Sequence, residues 1–184
     1  LTTDELLATC VTLLIAGHET TTSLIASGLL TLLRHPDQLA QLRRDPELIG
    51  AAIEEIVRCE SPIQRDFRRV ASDIEFGGHP MRAGSLVFQM LGAANRDPKY
   101  FSDPDRFDIN REKRRHLAFG YGIHFCVGAP LARLEGPIAI MAVLRRMPDL
   151  TLATDDIVWQ GKRSFRCPTA VPVRFTPGAV APAG

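Results

Sequence analysis

The chain has 184 residues, 45% of them hydrophobic, and a net charge of +1, the balance of one globular domain or of part of a larger one. The near-neutral charge gives no basic excess for nucleic acid and no acidic tail. No apolar run approaches the ~18–20 residues that a membrane-spanning helix requires. Four cysteines without paired spacing predict neither a disulfide framework nor a zinc site, which favours a reducing cytoplasm. The chain opens on Leu1 without a signal peptide, so we expect a fragment or a trimmed protein.

Three helices are predicted in the first part of the chain, residues 1–62. Thr2 or Thr3, followed by two acids, starts a helix that continues through an almost uninterrupted apolar stretch at 6–33. Because this stretch is too apolar for a surface helix, we expect it to be central and mostly buried. Shorter helices are predicted at 37–44 and 47–59, each ended by a proline-containing break.

The pattern changes after residue 62. Segments 63–70, 73–76 and 85–88 carry β-branched and aromatic residues, and with a hairpin turn at Gly77-Gly78 they predict a small sheet within 63–90.

The remainder is predicted as coil, loop, helix and strands. Residues 95–118 predict a long coil, a feature that is usually functional. A loop at 119–128 and a helix over 127–147, kinked at Gly136-Pro137, come next. Short strands near 150–153 and 170–175, within 148–176, complete a fold class that is mainly α with small antiparallel sheets.

The loop at 119–128 delivers one cysteine to the start of the last helix. Gly122 permits a positive-φ turn that lies flat under a planar macrocycle, and Gly128 lets the first helical turn approach closely. The helix N-terminus stabilises a thiolate at Cys126, and Phe119 can shield the sulfur from water. A haem iron held by a thiolate needs this arrangement, because the thiolate favours O–O cleavage. The alternative is a buried structural cysteine.

Polar residues interrupt the long apolar helix at 16–21. Thr20 can donate to the Ala16 carbonyl four residues earlier, which would open the helix and leave room for water or a bound gas. Glu19 beside it provides a route for protons, and an acid–alcohol pair over an iron site suits proton-assisted cleavage of dioxygen. The alternative is a polar contact between helices.

A charged pair lies in the third helix. Glu55 and Arg58 share one helical face at i, i+3 spacing, although most such pairs are solvated and contribute little. We expect Arg106, in the following coil, to close a structural network of three residues behind the cysteine loop.

Five motifs in this order and spacing closely resemble the cytochrome P450 superfamily, and specifically its soluble bacterial branch. They are AGHETT at 16–21, ExxR at 55–58, ANRDP at 94–98, PDRF at 104–107 and FGYGIHFCVGAPLAR at 119–133. The resemblance implies the C-terminal part of the P450 fold, beginning at its central helix. Since family members run to roughly 400 residues, the N-terminal half is expected to be missing, separate, or replaced by an oligomeric partner.

The resemblance also implies a cofactor and roles for individual residues. Haem b would be held by Cys126 as the proximal iron ligand, with Glu19 and Thr20 as the catalytic pair that delivers protons and activates oxygen. Arg68 and His124 match positions that pair with the haem propionates. The residues expected to contact the cofactor are Cys126, His124, Arg68, Phe119, Gly122, Gly128, Ala16 and Gly17. The structural triad is Glu55, Arg58 and Arg106, and Ile63 and Gln64 are expected to face the substrate.

The implied activity is that of a cytoplasmic monooxygenase that uses O2 to hydroxylate or epoxidise a small organic substrate. Its electrons would come from NAD(P)H through a ferredoxin or flavodoxin-type donor, and a basic run would either help that donor dock or be a solvated coil. The run is Arg111, Lys113, Arg114, Arg115 and His116. Two alternatives stay open. One is a truncated, non-catalytic haem-binding or scaffold fragment that needs another chain; the other is an enzyme driven by peroxide, against which the Glu19–Thr20 pair argues.

Overall fold

The computed structural model describes residues 1–161 and 164–176, and these form a mainly helical fold with small antiparallel sheets, as the sequence predicts. The helices are α1 (Thr3–Arg34), α2 (Pro36–Arg44), α3 (Ile49–Cys59), α4 (Leu91–Ala94) and α5 (Ala129–Arg146). The strands are β1 (Asp66–Arg69), β2 (Ile74–Phe76), β3 (His79–Met81), β4 (Leu86–Gln89), β5 (Thr151–Leu152) and β6 (Val173–Arg174).

Helix α1 begins with a capping box. The Thr2 hydroxyl accepts from the Glu5 amide at 3.2 Å, and the Glu5 carboxylate accepts from the Thr2 amide at 2.8 Å. Two of the amides that a helix start leaves without partners are satisfied in this way. The helix ends at Arg34, just before Pro36 begins α2.

Only the second half of α1 is buried, which corrects the expectation of a mostly buried helix. Its fully buried residues begin at Ser23, whereas residues 1–18 are exposed along their whole length. Large apolar side chains are exposed there: Leu6, Leu7, Val11, Leu13, Leu14 and Ile15. The helix is apolar on all sides, but within the described part of the chain its packing partners lie along its second half only.

The core lies where the second half of α1 meets α3 and α5. Two glycines let these helices approach closely. A Cβ atom on Gly28 would lie 2.8 Å from Ile140 Cδ1, and one on Gly136 would lie 3.0 Å from Ile53 Cδ1. Helix α5 continues through Pro137, the position at which the sequence predicts a kink.

Each sheet has two antiparallel strands. β2 and β3 form the hairpin around Gly77 and Gly78, whose φ angles of 58° and 79° suit glycine. β1 pairs with β4, and β5 pairs with β6. The sheets are therefore local supports around the helices.

Within residues 1–161 and 164–176, no helix has the length and apolar character needed to cross a membrane.

Candidate functional site

A cavity of about 490 Å³ lies between α1 and the cysteine loop. The volume is within the ~300–1,000 Å³ range of small-molecule and cofactor sites. Its lining includes Ala16, Gly17 and Thr20 from α1, Phe119, His124, Cys126 and Gly128 from the loop, Leu131, Ala132 and Glu135 from α5, and Ile63 and Asp66 before and in β1. The fold thus brings the two sequence motifs, which are far apart in the chain, to the lining of one cavity.

Two positive-φ glycines shape the cysteine loop. Gly120 and Gly122 have φ angles of 72° and 68°. The turn is closed by the Cys126 amide, which donates to the Phe119 carbonyl at 2.8 Å. The Ala129 amide donates to the Cys126 carbonyl at 3.2 Å. Helix α5 begins at Ala129, three residues after Cys126 and two residues later than predicted. The sequence reading identified Gly122 but missed Gly120, where an added Cβ would lie 3.3 Å from the His124 carbonyl oxygen.

Cys126 differs from the other three cysteines in its surroundings. It is exposed and borders the cavity. Cys59 is buried, and desolvation together with the nearby Glu55 charge raises the pKa of its thiol to about 12, so it stays protonated. Cys167 is buried as well, and Cys10 is exposed on the first half of α1, outside the cavity lining. A metal entering the cavity would therefore meet the Cys126 sulfur.

The α1 wall contains the expected threonine contact. The Thr20 hydroxyl donates to the Ala16 carbonyl at 2.7 Å. Four other threonines in α1 make the same i to i−4 bond, namely Thr9, Thr12, Thr22 and Thr31. Helix α1 is continuous through this segment, so the opening that the sequence suggested is absent. What distinguishes Thr20 from the other four is its place in the cavity lining; Glu19 beside it is partly buried and lies outside that lining.

One edge of the cavity combines charged side chains from β1 and the loop. Arg68 Nη1 donates to Asp66 Oδ2 at 2.6 Å and to the Phe67 carbonyl at 2.8 Å. Burial opposes ionisation of Asp66, but the bonds from Arg68 and the Phe67 amide, with the charge of His124, lower the pKa of this carboxyl. Asp66 lines the cavity, whereas Arg68, which was expected to contact the cofactor, does not. An anionic group at this edge would share Arg68 with Asp66.

The two residues expected to face a substrate point in different directions. Ile63 lines the cavity. Gln64 does not, because its side-chain amide donates to the Ser61 carbonyl at 2.7 Å and its carbonyl oxygen occupies the space beside Gly92. The structure therefore places Ile63, but not the Gln64 side chain, where a ligand would lie.

The charged network behind the loop is real but has a different third member. Arg58 binds Glu55 with two bonds of 2.7 and 2.8 Å, and both side chains are buried. The third side chain is Arg111, whose Nε donates to Glu55 Oε1 at 2.9 Å. Arg106, the predicted member, contributes only its carbonyl; its side chain is 64% exposed and lies 3.7 Å from Asp108. The motif spacing could not distinguish two arginines five residues apart in a coil.

Asn95 is a structural residue to which the sequence analysis gave no role. It is fully buried, and its side chain donates to the Ser61 hydroxyl at 2.9 Å and accepts from the Leu117 amide at 2.7 Å. Its own carbonyl accepts from Arg58 at 2.8 Å. Asn95 thus connects the Glu55 network to the chain just before the cysteine loop. Its position in the ANRDP motif was the available signal.

The basic run splits into two groups. Arg111 and His116 are largely buried, Arg111 in an ion pair with Glu55 and His116 in a hydrogen bond with Glu54, so they cannot contribute to a docking surface. Lys113, Arg114 and Arg115 are exposed; Arg114 is paired with Glu112 and donates to the Tyr100 carbonyl, and Arg115 lies over the Tyr121 ring at 4.4 Å.

The residues present fit haem. The cavity has a thiol on one wall and open space beside Gly17, where an added Cβ would meet no heavy atom within 4 Å. Gly122, which was expected to contact the cofactor, is not among the lining residues. Its lining is mainly apolar, and the ionisable side chains that it has from the described residues are Asp66 and His124 at one edge and Glu135 on α5. An apolar macrocycle with polar groups at one edge and a metal facing a sulfur matches this donor set. The lining therefore fits a cofactor of the haem-thiolate class.

Comparisons with known proteins agree with this class. The cytochrome P450 family model matches residues 1–148. The chain is 49% identical over 175 residues to the biotin biosynthesis cytochrome P450 of Bacillus subtilis and 48% identical over 177 residues to the 6-deoxyerythronolide B hydroxylase of Saccharopolyspora erythraea; each alignment covers 95% of this chain and 44% of the relative. The solved structure of cytochrome P450 CYP109Q5 from Chondromyces apiculatus is similar with a TM-score of 0.92 at 46% identity, over 97% of this chain and 46% of that one.

The chain belongs to the cytochrome P450 family, which implies haem as the cofactor. It spans less than half the length of the curated relatives that it matches. The matched structure has the same fold over 97% of this chain. The apolar side chains on the first half of α1 are nevertheless exposed in this chain.

Proposed function

We propose that this chain forms the haem-thiolate part of a cytochrome P450-type monooxygenase that uses O2 to hydroxylate or epoxidise a small organic substrate. The observation that carries the proposal is that Cys126 and Thr20 line the same cavity. The hydroxylase relative supports the reaction class.

Each wall would have a separate task. Cys126 would bind the iron as a thiolate, and Arg68 and His124 would pair with the propionates at the Asp66 edge. When bound, haem supplies the site at which O2 is bound and activated. The Thr20 hydroxyl would hold a water or proton donor at the α1 lining of the cavity, and Glu19 would exchange protons between that position and solvent. Ile63 would contact the substrate.

Electrons would reach the site from NAD(P)H through a ferredoxin or flavodoxin-type donor. Of the predicted basic run, Lys113, Arg114 and Arg115 remain exposed and can attract an acidic partner. We place the reaction in the cytoplasm, where the four free cysteines stay reduced.

A second candidate is favoured by one observation. The exposed apolar side chains on residues 6–15 form a contiguous helix face of the kind that marks a binding surface or an aggregation liability. The 184 residues would then be a haem-binding or scaffold part that becomes active only with another polypeptide covering this face.

The decisive measurement is the absorption spectrum of the ferrous–CO form. We expect the chain, reconstituted with haem, to give the strongly red-shifted Soret band of thiolate ligation. Cys126→Ala should abolish that band, and the matched change Cys10→Ala, at an exposed cysteine outside the cavity lining, should leave it unchanged. An unshifted band in the parent chain, or a shifted band that survives in Cys126→Ala, would overturn the haem-thiolate assignment.

A chimera separates folding from ligation. In it, this chain replaces the matching part of the Bacillus subtilis relative, so that the rest of that relative covers α1. If the chimera gives the shifted band and the isolated chain binds no haem, the second candidate describes the chain alone. Failure of both to bind haem would overturn both candidates.

A further inference from the structure

A hydrogen-bonded cluster of three side chains joins α3, α5 and the start of the cysteine loop, and the proposed chemistry does not use it. Glu54, on α3, receives two bonds from Arg133, on α5, at 2.7 and 3.0 Å. His116, which precedes the loop, lies with its Nε2 3.0 Å from the same carboxylate. This cluster lies beside the Glu55 network and is separate from it.

The hydrogen bonds fix the state of the histidine. The Ala118 amide donates to His116 Nδ1 at 3.2 Å, so Nδ1 is an acceptor and the ring proton is on Nε2. Nε2 then donates to Glu54, and the imidazole side chain is only 6% exposed. Glu54 is therefore held from two sides, and its two oxygens orient the Arg133 guanidinium by a bidentate contact.

Arg133 is held next to the cysteine. Its guanidinium lies 4.6 Å from the centre of the Phe119 ring, and the Phe119 carbonyl accepts the Cys126 amide. The hydrogen bond to Glu54 raises the pKa of Arg133, and the charge of Cys126 acts in the same direction, so the two groups interact electrostatically.

We propose that Arg133 is a positioning residue for the iron's reduction potential: anchored by Glu54 and by the Phe119 ring, it holds a positive charge beside the loop that contains Cys126. A nearby cation stabilises the reduced, more negative form of the haem-thiolate unit more than the oxidised form. It therefore raises the midpoint potential and eases electron uptake. This inference rests on the proposed function.

The test is the midpoint potential of the haem-loaded form, the chain or the chimera, whichever gives the shifted ferrous–CO band. Arg133→Met, which keeps the length and removes the charge, should shift the potential to lower values. Arg133→Lys should recover most of that shift. The matched control is Arg146→Met, an exposed arginine in the last turn of the same helix, which should leave the potential unchanged. Because Arg133 is 40% exposed, the Arg133→Met shift should shrink as ionic strength rises.

The outcomes distinguish this inference from the proposed function. A thiolate spectrum with equal potentials in the parent protein and Arg133→Met would overturn the role of Arg133 alone. An equal downward shift in Arg133→Met and Arg133→Lys would also overturn it, because packing rather than charge would then be responsible. Absence of the thiolate band in both parent forms would overturn the proposed function, and this inference with it.

Discussion

Arg111 Nε donates to Glu55 Oε1 at 2.9 Å, and this contact fixes the coil at 95–118 to helix α3. The same arginine binds the carbonyls of Asp103 and Arg106 at 2.9 and 2.6 Å, so one guanidinium organises a turn of the coil and anchors it to a buried carboxylate. A coil without regular secondary structure keeps its shape here because its polar groups are satisfied by buried charges.

The two candidate arginines should differ sharply in their effect on stability. Arg111→Met removes one of the two cations that bind the buried Glu55 carboxylate, and we expect a loss of ~1.5–3 kcal/mol in the free energy of unfolding. Arg106→Met removes an exposed side chain whose pair with Asp108 is worth less than ~1 kcal/mol. Chemical denaturation of both variants measures the difference, and equal losses would contradict the assignment of Arg111 as the third member.

Two glycine substitutions should have opposite effects. Gly28→Ala places a methyl group 2.8 Å from Ile140 Cδ1, and the overpacking cost of ~1–3 kcal/mol exceeds or cancels the gain in helix propensity of up to ~1 kcal/mol. Gly50→Ala, in α3 with no heavy atom within 4 Å of the new Cβ, should stabilise the chain by up to ~1 kcal/mol. Denaturation midpoints decide this; a Gly28→Ala variant as stable as Gly50→Ala would show that the helices are less closely packed.

The Glu54 cluster should make stability depend on acid pH. Burial opposes ionisation of Glu54, but the bonds from His116 and Arg133 outweigh it and lower the pKa of the carboxyl to about 2 from 4.5. Since the folded-state pKa is below the unfolded value, this stabilisation is complete above pH 4.5 and is lost as the pH falls towards 2. Glu54→Gln should therefore be less stable than the parent at neutral pH, with a difference that shrinks between pH 4.5 and 2. Urea midpoints over this range measure it, and Glu112→Gln, at an exposed carboxyl, should show no such trend.

The catalytic role of Thr20 can be separated from its backbone contact. Thr12 makes the same hydrogen bond, to the Ala8 carbonyl at 2.8 Å, but lies outside the cavity lining. In the active form supplied with electrons, Thr20→Ala should divert reducing equivalents to peroxide and lower product formation by up to the ~10²-fold that a positioned proton donor contributes. Thr12→Ala should do neither. The ratio of product to NAD(P)H consumed is the measurement, and equal ratios would remove Thr20 from the mechanism.

The helices could be predicted because their signals are local. The Thr2–Glu5 capping box, the prolines that delimit α2 and the glycine pair in the hairpin all act within a few residues, and each element forms where these signals place it. The burial of α1 could not be predicted in the same way. Its apolar sequence is compatible with burial along its whole length, yet burial depends on which partners pack against it.

The sequence by itself determined the family, because its motifs match that family in order and spacing, and it predicted roles for Cys126, the glycine loop around it and the polar segment of α1. Only the tertiary structure decided which side chains meet. It selected Arg111 over Arg106, placed Asp66 rather than Arg68 in the cavity lining and assembled Glu54, His116 and Arg133. The physical reason is that these contacts join residues that are far apart in the chain or lie in coil. In coil no backbone periodicity fixes the direction of a side chain, so only the folded structure decides which of several arginines reaches a given carboxylate.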